Sequence, residues 1–297
     1  MATFTSLYLC NQNVHAAVGS ASRNRVQIQK VCHAELPEGC LINGVITNET
    51  ALAQGLQAFF SANGLSGKKV ALTLSSSQFL VRMMTLPAMP EKKLRVVIQR
   101  EFASAGECAA PLDDYLPLSH SAAANTDTLL AIRIDKPMLD PYIALAQELG
   151  WTIHSIDVAQ ACEIKLVRFL PALREKTFLL LVFDGENLYS TLYDQGAYKH
   201  AIRSRLFNTR GTAESGAEIT QKVSGLVQFH ISSKGVSPIT DVYFAGATDA
   251  DLVVCTPGIE ALQLQISPFP DAGGSIKMPQ GCPLYDNVFT IGNLIGR

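Results

Sequence analysis

Apolar residues in this chain come in two patterns: short dense runs, and longer stretches spaced by three and four. Residues 69–74 (KVALTL) are a short apolar run bounded by turn residues, the pattern of a strand buried on both faces. After the polar corner of Ser75, Ser76 and Ser77, residues 79–86 form a second extended segment. It stops where Pro87 removes a backbone donor and restricts the residue before it. The two runs read as a hairpin-like pair. Pro90 then opens a helix with Glu91 at the positive end of the helix dipole, and Leu94, Val97, Ile98 and Phe102 share one face.

The same reading covers the rest of the chain. Strands are predicted over 6–10, 14–18 and 26–31, then a helix capped by Asn48, carrying Leu52, Leu56, Phe59 and Phe60 and closed by Gly64. Residues 104–114 read as a loop, 115–120 and 128–133 as strands joined through 122–127, and 137–149 as an amphipathic helix ended by Gly150. Residues 151–157 return as a strand and 158–169 as a helix. The run 178–183 suits a buried central strand, followed by strands over 188–193 and 198–203, a helix over 216–232, a strand and turn over 241–248 and a short closing helix before the C-terminus.

One block carries more than periodicity. Leu86, Pro87, Met89, Pro90, Glu91, Lys92 and Leu94, preceded by a turn with Gly39, Ile42, Gly44 and Ile46 and a helix, resemble in order the corresponding segment of the PilM family of type IV pilus assembly proteins; the closing FTIGNLIGR resembles it too. The resemblance implies an α/β, actin-like (ribonuclease H-like) duplicated fold, also similar to the cell-division actin homologue. It implies an actin-like first half over 1–172, with an inserted subdomain at about 86–150, and a second half over 173–297 that lacks the helical adenine-side subdomain. The two strand meanders, about 170 residues apart, are then the internal repeat.

Function follows from the same resemblance as an expectation. It implies a non-enzymatic scaffold of a type IV pilus or related secretion machine at the cytoplasmic face of the inner membrane. There a groove between the parent sheet and the inserted subdomain receives the N-terminal peptide of a PilN-like bitopic membrane protein, and the motor ATPase is a further partner. Leu80, Arg82, Met84, Leu86, Met89, Leu94 and Ile98 are the positions that could line it. An actin-like ATPase gated by Mg-ATP is the alternative. Against it, the first turn is Cys10-Asn11-Gln12-Asn13, where a phosphate cradle needs a carboxylate and a glycine. Asp184, Gly185 and Gly246 are the vestigial cofactor-binding candidates, and the Asp184-Gly185 pair also suits an ordinary hairpin turn. No bound cofactor is expected.

Composition changes the picture little. The net charge of −2 and the lack of any Lys/Arg run point away from nucleic acid. Seven widely spaced cysteines without a C-x-x-C pair fit reduced thiols, not a disulfide framework or a zinc site. No signal peptide or membrane span is read, so a cytoplasmic protein is expected. The six histidines lack H-x-x-x-H spacing, and no G-x-S-x-G, P-loop or strand-borne G-x-G-x-x-G occurs. Asp113 with Asp114, and Glu101 with Glu107, read as solvated pairs, and Cys10 as an inert thiol.

Overall fold

Two sheets in this computed structural model, which describes residues 3–103, 108–270 and 273–296, repeat one strand order. In the first, β16 (Ile276–Lys277), β3 (Val26–Glu35), β2 (Asn13–Ala21), β1 (Phe4–Leu9), β6 (Val70–Leu74) and β10 (Ile153–Val158) lie side by side. In the second the order is β13 (Ala197–Arg205), β12 (Asn187–Asp194), β11 (Phe178–Asp184), β14 (Asp241–Ala245) and β15 (Gln265–Ser267). With β16 at the edge of the first set aside, the strands of each therefore run third, second, first, fourth, fifth in chain order. The central pairs β1 with β6 and β11 with β14 are both parallel, as are β6 with β10 and β14 with β15. This is the duplication expected from the two meanders.

Packing divides the chain into two units, the first of 4–16 with 32–161, the second of 3, 17–31 and 162–296. In the first unit every residue of β6 is buried, as a central parallel strand requires. Helix α1 (Glu49–Asn63) packs Leu52, Leu56, Phe59 and Phe60 onto Leu7, Leu9 and Leu72. Its ends match the sequence signals: the Asn48 side chain accepts from the Ala51 amide, and Gly64 takes the left-handed conformation at φ 58° while its amide donates to Phe60 and Ser61 carbonyls. The short hairpin β4 (Leu41–Ile42) and β5 (Val45–Ile46) precedes it.

A three-stranded sheet, β7 (Leu80–Pro87), β9 (Thr126–Asp135) and β8 (Pro111–Ser121), forms a separate layer under α2 (Glu91–Ala103). Here the hairpin-like reading of 69–86 is corrected. β6 pairs with β1 and β10, and β7 pairs antiparallel with β9. The serine corner is a crossing between sheets, because β6 needs parallel neighbours to bury both faces. Likewise 111–114, read as loop, belong to β8, while 104–107 lie outside the described residues. Helix α3 (Lys136–Glu148) sets Tyr142 and Leu145 into the core of the parent sheet, and the Tyr142 hydroxyl donates to the Gly44 carbonyl at 2.9 Å.

In the second unit α4 (Ala159–Phe169) is followed by the five-stranded sheet, whose other layer is α5 (Ala213–Ser232) and α6 (Asp249–Ala261), packing Ile219, Val223, Leu226, Cys255 and Ile259 against Leu179, Leu181 and Val242. Helix α6 escapes the sequence reading, since Pro257 interrupts a pattern that contains only Leu252, Cys255 and Ile259 as regularly spaced apolar residues. A capping box of Thr248 and Asp251 starts it. Residues 206–212 join β13 directly to α5, and α7 (Val288–Leu294) is buried along its whole length.

Candidate functional site

The first-unit turn that would cradle a phosphate is closed by its own hydrogen bonds. Asn13 accepts at its carbonyl from the Cys10 amide at 3.0 Å and the Cys10 thiol at 3.2 Å. The Asn11 side-chain oxygen accepts the Asn43 amide at 2.7 Å, and the Gln12 carbonyl accepts the Leu36 amide at 2.8 Å. Asn43 in turn donates to the Ser77 hydroxyl and accepts from the Ser77 amide. These contacts tie the turn to the β4–β5 hairpin and the serine corner. Uncharged amides take the place a metal-positioning carboxylate would need.

In the second unit the structure brings Asp184, Gly185 and Gly246 to one place, with a residue that sequence reasoning missed. Gly185 (φ 57°) turns β11 into β12, and Gly246 (φ 65°) ends β14 so close to β11 that an added Cβ would lie 2.5 Å from the Phe183 carbonyl oxygen. Between the two turns sits Arg210. Its guanidinium donates to the Gly246 carbonyl at 2.9 Å and the Gly185 carbonyl at 3.5 Å, lies 4.8 Å from the Phe183 ring centroid, and forms an ion pair with the fully buried Asp251. Burial alone pushes the Asp251 carboxyl up; the bonds from Arg210 and Thr248 together outweigh it and hold the group below the usual carboxylate range. The glycines thus present carbonyl oxygens to a positive charge supplied by the chain.

The seven positions implied for the partner peptide share one region but not one role. Met84, Leu94 and Ile98 are buried against Phe102, Leu129 and Ala131, and Leu80, Leu86 and Met89 pack at the margin of that cluster. Arg82 donates to the Glu101 carbonyl at 3.4 Å and lies 5.9 Å from the Phe102 ring centroid. Met84, Leu94 and Ile98 therefore hold α2 on its sheet. Asp113, read as solvated, is instead a buried partner of Arg133, which donates from Nε at 2.7 Å and from a terminal nitrogen at 2.8 Å. Glu107 lies outside the described residues.

An open concavity of this unit lies elsewhere. A groove of about 740 Å³ runs along α1 from Thr50 to Ser61, residues 64–68 and the C-terminal end of α3. Phe60 and Trp151 stack in it at 4.2 Å between centroids, and Gln54, Gln57, Ser61 and Lys68 line its polar side. Gly67 permits this: a Cβ there would lie 2.3 Å from the Trp151 ring. The groove lies between α1, which packs on the first sheet, and the end of α3. The only sequence signal for it was the single tryptophan, read simply as a strand residue. Among the described residues no cluster of three or more His, Cys, Asp or Glu is arranged to hold a metal, and no helix is long and apolar enough to cross a membrane.

No family model matches the sequence, and no curated protein does. Solved structures do. A chain of a PilM-PilN type IV pilus biogenesis complex superposes with a TM-score of 0.79 at 14% identity, covering 98% of this chain and 96% of that one. A Bacteroides thetaiotaomicron protein described as having an actin-like ATPase fold gives 0.54 at 11% identity, with 90% of each chain covered. The cytoplasmic domain of EpsL, an inner-membrane component of the Vibrio cholerae type II secretion system, gives 0.50 at 11% identity, with 91% of each chain covered. The fold is actin-like, as the repeated strand order requires.

Proposed function

We propose that this chain is a scaffold of a type IV pilus or related secretion machine, acting at the cytoplasmic face of the inner membrane by binding the N-terminal peptide of a bitopic membrane protein and coupling it to the motor ATPase. The observation that carries this reading is the superposition on the PilM-PilN complex chain across nearly the whole length of both chains. Fold alone does not fix function, so the site has to bear the rest. The groove beside Trp151 is the proposed peptide site: it is concave, includes Ala53, Phe60, Leu149 and Trp151 in a mainly polar lining, and offers amide and hydroxyl side chains to an extended main chain.

In this reading nucleotide has no essential role. The first turn lacks a carboxylate and the second is organised around Arg210. Calorimetric titration of the full chain with the partner's N-terminal peptide tests the proposal, with expected affinity in the micromolar range. Replacing Gln57 and Ser61 together by arginine should weaken binding at least tenfold, whereas Leu80→Lys with Met89→Lys should not. The opposite ranking would move the peptide to β7, and absence of heat with every peptide would end the reading.

A further inference from the structure

Residues 206–212 carry the chain from β13 to α5 as a strap tied at several points. The Leu206 amide donates to the Glu186 carbonyl at 2.7 Å, and the Glu218 carboxylate accepts the Phe207 amide at 3.1 Å and the Asn208 amide at 3.2 Å. Thr212 and Ser215 form the capping box that starts α5. Gly211, at φ 76°, lets the strap lie against the start of α6, where an added Cβ would come within 2.9 Å of the Ala250 Cβ. None of these ties involves the Arg210 side chain.

That side chain enters a seat whose walls all come from outside the strap. Its three guanidinium nitrogens are all used. Nε, at 3.4 Å, and one terminal nitrogen face the two Asp251 carboxylate oxygens. The same terminal nitrogen donates to the Gly246 carbonyl at 2.9 Å and the other to the Gly185 carbonyl at 3.5 Å, while the Phe183 ring covers the group at 4.8 Å. The walls are fixed independently: the Asp251 carboxylate accepts the Thr248 amide at 2.9 Å and hydroxyl at 2.8 Å, and Phe183 packs on Phe244 at 5.5 Å. A paired carboxylate, two flanking carbonyls and an aromatic face match a planar fork, whereas an ammonium, a point charge, satisfies only part of them. The seat lies at the carboxyl ends of β11 and β14, where open α/β sheets place ligands. It is open to solvent on one side, since the Arg210 side chain is 25% exposed although Asp251 is fully buried.

We infer that this seat is a guanidinium-binding site, that the chain's own Arg210 fills it, that it takes a free guanidinium cation once that side chain is removed, and that its occupancy governs the order of residues 206–212. The ties at Leu206, Asn208 and Thr212 keep the strap in place without Arg210, so shortening residue 210 empties the seat and leaves its walls standing.

The test follows thermal melts of the full chain carrying Arg210→Ala in about 5 to 50 mM guanidinium chloride, well below unfolding concentrations. Equal concentrations of urea, the neutral isostere, and of methylammonium chloride, a point charge, are the controls. Guanidinium should raise the melting temperature by at least about 2 °C over both controls. The unmodified chain, whose seat is full, and Arg210→Ala with Asp251→Asn, whose carboxylate is gone, should show no such rise. Chymotrypsin reads the strap: cleavage after Phe207, which is 89% exposed, should quicken about tenfold in Arg210→Ala and slow again when guanidinium is added. If Arg210→Ala does not fold unaided, its yield on refolding replaces the melt and should rise in guanidinium but not in urea or methylammonium. Equal response to the three solutes, the same rise in the unmodified chain, or cleavage at Phe207 indifferent to guanidinium would overturn the inference.

Discussion

Asp251, paired with Arg210, and Glu163 show how differently two buried carboxyls are handled in one unit. Arg210→Ala would leave the Asp251 carboxylate buried without its ion-pair partner, which costs roughly 3 kcal/mol in such settings, and denaturant unfolding should show a loss of that order. Asp251 is held below its ordinary range, so its contribution is present above the unfolded carboxyl value and is lost as pH falls through the lower folded one; acid unfolding below about pH 4 should be blunted in Asp251→Asn. Glu163 runs the other way. Burial pushes its carboxyl up to about 7, and the Tyr193 hydroxyl, 3.0 Å from the carboxylate, offsets only part. Its stabilising share is present below the unfolded value and disappears as pH rises toward 7. Melting temperatures of the parent should therefore fall between about pH 4.5 and 8 relative to Glu163→Gln, by the equivalent of about 3 kcal/mol at most. The family resemblance singled out Asp184, Gly185 and Gly246 as vestigial cofactor-binding positions through the turn patterns around them. Sequence reasoning missed Arg210 because nothing in the spacing relates it to partners 25 to 41 residues away.

Elements were easier to read than their pairings. The strands and helices from β6 to α4 were legible because each has a strong period or a capping residue, and the closing glycines of α1 and of 137–149 sat where expected. The partner of β7 was not legible, since a serine corner suits a hairpin and a crossing equally; only the demand of β6 for parallel neighbours decides it. That pairing reassigns Met84, Leu94 and Ile98 to the core between α2 and its sheet. Ile98→Ala should cost about 2–4 kcal/mol in chemical denaturation, with hydrogen exchange accelerating first in β7 and β9. Gly246→Ala should also destabilise the second unit, because both its positive φ and the nearby Phe183 carbonyl oppose a side chain.

At the scale of the molecule, the duplication was readable from two meanders, while the order of the remaining strands and the open and filled places on the sheets were not. A binding site that stabilises the native state adds about 2.7 kcal/mol at a hundredfold excess of ligand over Kd. Thermal melts with millimolar Mg-ATP should therefore shift by less than about 1 °C if Arg210 has taken over the second turn; a rise of several degrees would favour the ATPase alternative. The protein also carries its own probe. Its one indole rests on Gly67 and Phe60 inside the groove, so emission excited selectively from tryptophan, and not from the eight tyrosines, reports on a single spot. An unlabelled titrant that changes this glow is acting at that cleft, and one that binds silently has gone elsewhere, which lets a spectrometer sort unknown partners before any is crystallised.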